Sequence, residues 1–164
     1  MSETKTAQLQ IRISPSQKAE IVALARAAGM SVSAWLLSKA QPSKREAFQE
    51  LLAELARDES TSQTLAALSD FMVTVDRTEF EVAFGDPPRT PLSQWQLAYV
   101  ASMIEHTASS RKAAIPDWVR AVPPLDEPYF ASELLSLRLH LLAHSPSAFR
   151  RRNIFVDSAV GDRV

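Results

Sequence analysis

The stretch Ala7-Gln8-Leu9-Gln10-Ile11-Arg12-Ile13-Ser14-Pro15-Ser16-Gln17 decides the architecture of this 164-residue chain. Leu9, Ile11 and Ile13 alternate with Gln8, Gln10 and Arg12, the period of a half-buried β-strand. Ser14 then reads as a helix N-cap. Pro15 fits the first helical position, where its missing N–H costs nothing, and Gln17 completes an S-x-x-Q capping box. Working outward, Ile21, Leu24, Ala25 and Ala28 form the apolar stripe of a first helix, and Gly29 suits its left-handed stop. Ser31 caps a second helix with Val32, Trp35, Leu36 and Ala40 facing inward, closed by Pro42. Strand, helix, turn and helix are complete by residue 42.

A single strand cannot stand alone, because its backbone groups need partners and its apolar face needs a cover. A sheet elsewhere in the same chain is one solution, but the remaining sequence holds no other convincing strand of matching pattern. A second copy is the economical one. Two antiparallel strands would enclose a dimer core of Leu9, Ile11, Ile13 and Trp35, and would direct Gln8, Gln10 and Arg12 outward together. A two-stranded ribbon fits the major groove of B-DNA, where Gln pairs with adenine edges and Arg with guanine edges.

The order Gln8-x-Gln10-x-Arg12, Ser14-Pro15 and Gly29-Met30-Ser31-Val32-Ser33 resembles the ribbon-helix-helix superfamily over residues 5–42. The text of the second helix looks most like its antitoxin branch. The resemblance implies base contacts from Gln8, Gln10 and Arg12. It also implies a DNA phosphate held at Ser31, Val32 and Ser33, where free N–H groups and the positive end of the helix dipole favour an anion.

Charge supports a head and a body of different character. Residues 1–45 carry seven basic and two acidic groups, a net of +5, whereas residues 46–108 carry three basic and eleven acidic groups, a net of −8. A polyanion-binding head on an acidic body fits this asymmetry, and so does unevenly distributed solvated charge. The chain has no cysteine, which excludes disulfides, thiol nucleophiles and thiolate metal sites. No apolar run of membrane-spanning length occurs, so a cytoplasmic protein without a membrane partner is expected.

Beyond residue 42 the pattern predicts a small all-α domain over 43–164, making the whole mainly α. S-x-x-E/Q boxes at Ser43–Glu46 and Ser60–Gln63 head two amphipathic helices. Residues 76–89 read as irregular or short-structured. Thr90-Pro91 opens a helix carrying Leu92, Trp95, Tyr99 and Met103. Pro116 starts a short helix through Trp118. Leucines all round residues 128–144 predict a central core helix, and Ser145-Pro146 begins a last short one.

Trp95, Ile104-Glu105-His106, Pro116-x-Trp118-Val119, Pro128-x-Phe130 and Phe149 through Phe155 resemble a module that stands behind helix-turn-helix domains in antitoxins of nucleotidyltransferase-type toxins. That resemblance spans residues 90–156 and implies that 43–164 bind and neutralise a toxin. Arg150, Arg151 and Arg152 are then a candidate partner contact. The expectation is an autorepressing antitoxin that binds operator DNA as a homodimer. The alternatives are a stand-alone regulator, with a ligand pocket lined by Trp95, Trp118 and Phe130, and a dimeric interaction module that does not bind DNA. His140 and His144 are spaced for a shared metal but lack an H-E-x-x-H pattern, so neither metal nor cofactor is expected. No nucleophile, acid pair or phosphate loop points to an enzyme.

Overall fold

The computed structural model describes residues 10–40, 43–57 and 61–157. Its backbone divides into two compact units, 1–42 and 43–164. Among the described residues the protein is largely helical, with one pair of very short strands.

In the first unit, α1 (Pro15–Ala27) starts where the sequence sets its signal. Ser14 Oγ accepts from Gln17 N at 3.2 Å, and Gln17 Oε1 accepts from Ser14 N at 2.9 Å, closing the capping box. The helix ends in a Schellman turn, with Gly29 N donating to Arg26 O and Met30 N to Ala25 O. Gly29 takes φ +66°, a left-handed angle that strains any residue with a Cβ. Directly afterwards, Ser31 Oγ accepts from Ala34 N at 3.2 Å at the start of α2 (Val32–Ala40).

The strand expected over 7–13 falls partly outside the described residues. Residues 10–13 form no ladder among the described residues. Pro42, expected to close α2, also lies outside them.

The second unit begins with α3 (Lys44–Arg57), entered through the expected box in which Ser43 N donates to Glu46 Oε2 and Glu46 N to Ser43 Oγ. Its partner α4 (Thr61–Val73) follows; Ser60 of the second expected box lies outside the described residues. The stretch expected to be irregular or short-structured contains the short α5 (Phe80–Phe84), which buries Phe80, Ala83 and Phe84 at helical spacing. Phe84 meets Phe48 and Phe80 at ring-centroid distances of 5.0 and 4.7 Å, both edge-on. This aromatic cluster joins α3 to α5.

The core helix is α6 (Gln94–Arg111), not the segment 128–144. It begins three residues beyond the expected start, because Ser93 and Gln96 form a capping box of their own. Small residues on α6 (Ala98, Ala101, Ser102 and Ala108) let neighbouring elements close on it from several sides, and all four are buried. Polar side chains tie its surroundings together. Gln96 Nε2 donates to Leu55 O at 2.8 Å, and Trp118 Nε1, on α7 (Asp117–Ala121), donates to Phe84 O at 2.8 Å.

In place of one long helix over 128–144, the chain forms β1 (Tyr129–Phe130) and then α8 (Leu135–His144). After α9 (Ser147–Arg150), β2 (Ile154–Phe155) pairs parallel to β1, Tyr129 opposite Ile154 and Phe130 opposite Phe155. The leucine-rich helix sits at the surface: Leu141 is buried, whereas Leu134, Leu135, Leu137, Leu139 and Leu142 are exposed. Its far end is held where the buried hydroxyl of Ser145 lies 2.7 Å from both Leu141 O and Val156 O. No single described helix is long and apolar enough to cross a membrane.

Phe84→Ala should therefore cost about 3–5 kcal/mol in urea denaturation, against about 1 kcal/mol for loss of the α6 cap in Ser93→Ala. Burial, with a smaller contribution from Tyr129, pushes the Tyr99 phenol up to about 12. Between pH 10 and 12 the unfolded chain releases this proton while the native chain keeps it, so stability present below pH 10 is lost as pH rises. Tyr99→Phe should flatten that alkaline decline.

Candidate nucleic-acid interface

In the first unit the sequence supplies two kinds of exposed group. Gln10 and Arg12 are exposed, as are Ile11 and Ile13 between and beside them. Gln8 and Leu9, the remaining members of the base-contact and core sets, lie outside the described residues. Trp35 is half-buried. Ala25 is the one buried side chain among the described residues of this unit, while Leu24, Met30, Val32 and Leu37 are exposed along with the two isoleucines.

Ser31, Val32 and Ser33 stand together, all exposed, at the opening of α2. Val32 and Ser33 begin the helix, so their N–H groups have no carbonyl one turn earlier to bond. The Ser31 hydroxyl already accepts from Ala34 N, which leaves its own proton available to an anion. Donor geometry, helix dipole and exposure coincide at this point.

The arginine triplet of the second unit does not act as one patch. Arg150 and Arg151 are exposed, whereas Arg152, expected with them as a partner contact, is buried and forms an internal tie. Its Nη1 lies 2.6 Å from Glu105 Oε2 and donates to Ala148 O, and its Nη2 donates to Val119 O at 2.6 Å. Arg151 Nη2 reaches the other carboxylate oxygen, Glu105 Oε1, at 2.7 Å. Glu105 is itself buried on α6, so one carboxylate is clasped by two guanidinium groups. Sequence adjacency did not reveal this, because the partner carboxylate is remote along the chain.

The three aromatics considered for a ligand pocket are dispersed. Trp95 packs against Tyr99 and Tyr129, and Phe130 stacks on Phe155 at 4.9 Å. Trp118 lines an open groove of about 430 Å³ with Pro87, Leu92, Leu97 and Pro123, which includes neither Trp95 nor Phe130. His140 and His144 stack at 4.1 Å, with His144 Nδ1 bonded to His140 O. Among the described residues, no group of three His, Asp or Glu side chains converges as metal ligands.

Removing Glu105 strands a buried cation, so Glu105→Ala should destabilise the protein by about 3–5 kcal/mol. Arg151→Ala, which removes a largely solvated partner, should cost about 1 kcal/mol or less. Thermal or urea unfolding of the two variants checks the contrast.

The sequence model of a family described as NikA-like, Mobilization protein NikA, matches residues 3–59. The match takes in the expected strand, α1, α2 and α3, which is about a third of the chain. No curated protein and no solved structure matches.

Proposed function

We propose that this chain is a dimeric, sequence-specific DNA-binding protein of the ribbon-helix-helix type that serves the mobilisation or regulation of DNA. The observation that carries the reading is the bare first unit. A segment of about 40 residues whose described part buries only Ala25 lacks the core to fold alone and requires oligomerisation. A second copy supplies what is missing: strand partners for residues 7–13, and a cover for Leu9, Ile11, Ile13 and Trp35.

Pairing then sets Gln8, Gln10 and Arg12 side by side on one polar face for the major groove, with Ser31, Val32 and Ser33 anchoring a phosphate on each side. The basic head draws the duplex in, and the acidic body stays clear of it. The match to a mobilisation protein over residues 3–59 supports DNA as the partner and favours mobilisation as the setting. The reading implies a cytoplasmic protein that needs no cofactor.

An antitoxin would carry the same DNA-binding head and add a toxin held by residues 43–164. Its distinguishing result is a nucleotidyltransferase that co-purifies with the full chain and is silenced by it. DNA selectivity without such a partner marks mobilisation or stand-alone regulation.

The test starts from duplexes selected out of a random pool by the full chain, followed by fluorescence anisotropy over a salt series. Selective binding with a steep salt slope is expected. Gln10→Ala and Arg12→Ala should each lose about 1–3 kcal/mol of discrimination, or roughly 5–150-fold, with the dimer intact. Ile11→Glu should give monomers that no longer bind. A dimer that fails to discriminate between duplexes would overturn base reading by the ribbon.

A further inference from the structure

The apolar surface of α8 has no cover among the described residues of its own unit. Leu135 and Leu139 are 73% and 77% exposed, and Leu134 and Leu142 are exposed beside them. Leu135, Leu139 and Leu142 recur at i, i+4 and i+7, which is the four-three spacing of a coiled-coil seam. Leu141, only 4% exposed, lies roughly a third of a turn away around the helix and anchors α8 to the body. The stripe is thus what remains after the helix has made its internal contact. It exposes on the order of 400 Å² of apolar surface, in the range of the largest patch on a typical monomer, which is often functional.

We propose that this stripe joins the two second units of the dimer, α8 packing antiparallel against α8 of a second copy. The proposal rests on the ribbon pairing argued above. Area decides between occupants. A stable interface between freely diffusing proteins buries about 800 Å² on each side, roughly twice what the stripe offers. Two units carried on one paired ribbon meet at an effective concentration of roughly millimolar, where a small contact suffices.

The face is also self-complementary, as a two-fold contact requires. With the axis near Leu139, Leu135 of each helix approaches Leu142 of the other. The nearest charged side chain on α8, Arg138, is drawn over the Phe130 ring at 4.9 Å, to one side of the stripe.

The absence of native cysteine makes the test clean. Leu139→Cys places a single thiol at the proposed axis, and Val82→Cys places one at an exposed position on α5 of the same unit, carried by the same tether. Both full-length dimers are treated with diamide, which takes up the two electrons and two protons released as each disulfide forms. The Leu139→Cys dimer should cross-link roughly a hundredfold faster than the Val82→Cys dimer. Adding Leu135→Asp to Leu139→Cys should bring the rate down to that of the control.

Equal rates in a chain that is dimeric and selective for DNA would overturn the α8 contact, leave the ribbon reading standing and assign the face to a different partner. A chain that stays monomeric would overturn both. Fast cross-linking that disappears with Ile11→Glu supports both the contact and its dependence on the ribbon.

Discussion

The carboxylate of Glu105 is the constraint around which the second unit is built. It sits inside, on the most enclosed helix, and burying an unpaired charge costs several kcal/mol. Arg152 answers it and in the same stroke donates to Val119 O and Ala148 O, so one guanidinium ties α6, α7 and α9. Moving any of these three elements breaks a charge-assisted bond in a low-dielectric interior. The aromatic cluster of Phe48, Phe80 and Phe84 holds the other half of the unit by shape instead.

What was legible in the sequence was chiefly what is decided locally. The boxes at Ser14 and Ser43, the left-handed Gly29 and the cap at Ser31 involve residues three to five apart, and the structure has each of them as read. Two other local signals are weaker. Thr90-Pro91 offers a helix start that competes with Ser93–Gln96 just after it, and Phe80, Ala83 and Phe84 show helical spacing in a span too short to separate a short helix from an irregular stretch.

The remaining departures have a non-local cause. Hydrophobicity says that a side chain is to be covered but not by what, so the leucines of α8 read as interior when only Leu141 is. Three consecutive arginines look alike on paper, and a distant carboxylate separates Arg152 from Arg150. The proposed DNA contacts stand differently. Gln10 and Arg12 were legible as residue types on alternate positions, and their joint action depends on a second chain that no property of one chain can display.

The pairing of Glu105 with Arg152 spans 47 residues of sequence, which bears on how the protein is made. At roughly 5–20 residues per second, Arg152 leaves the ribosome several seconds after Glu105. During that interval α3 to α5 already have their neighbours, whereas α6 carries a carboxylate whose burial is unfavourable until its partner arrives. The nascent second unit is therefore held open on one side, and it closes only once its last helix has emerged.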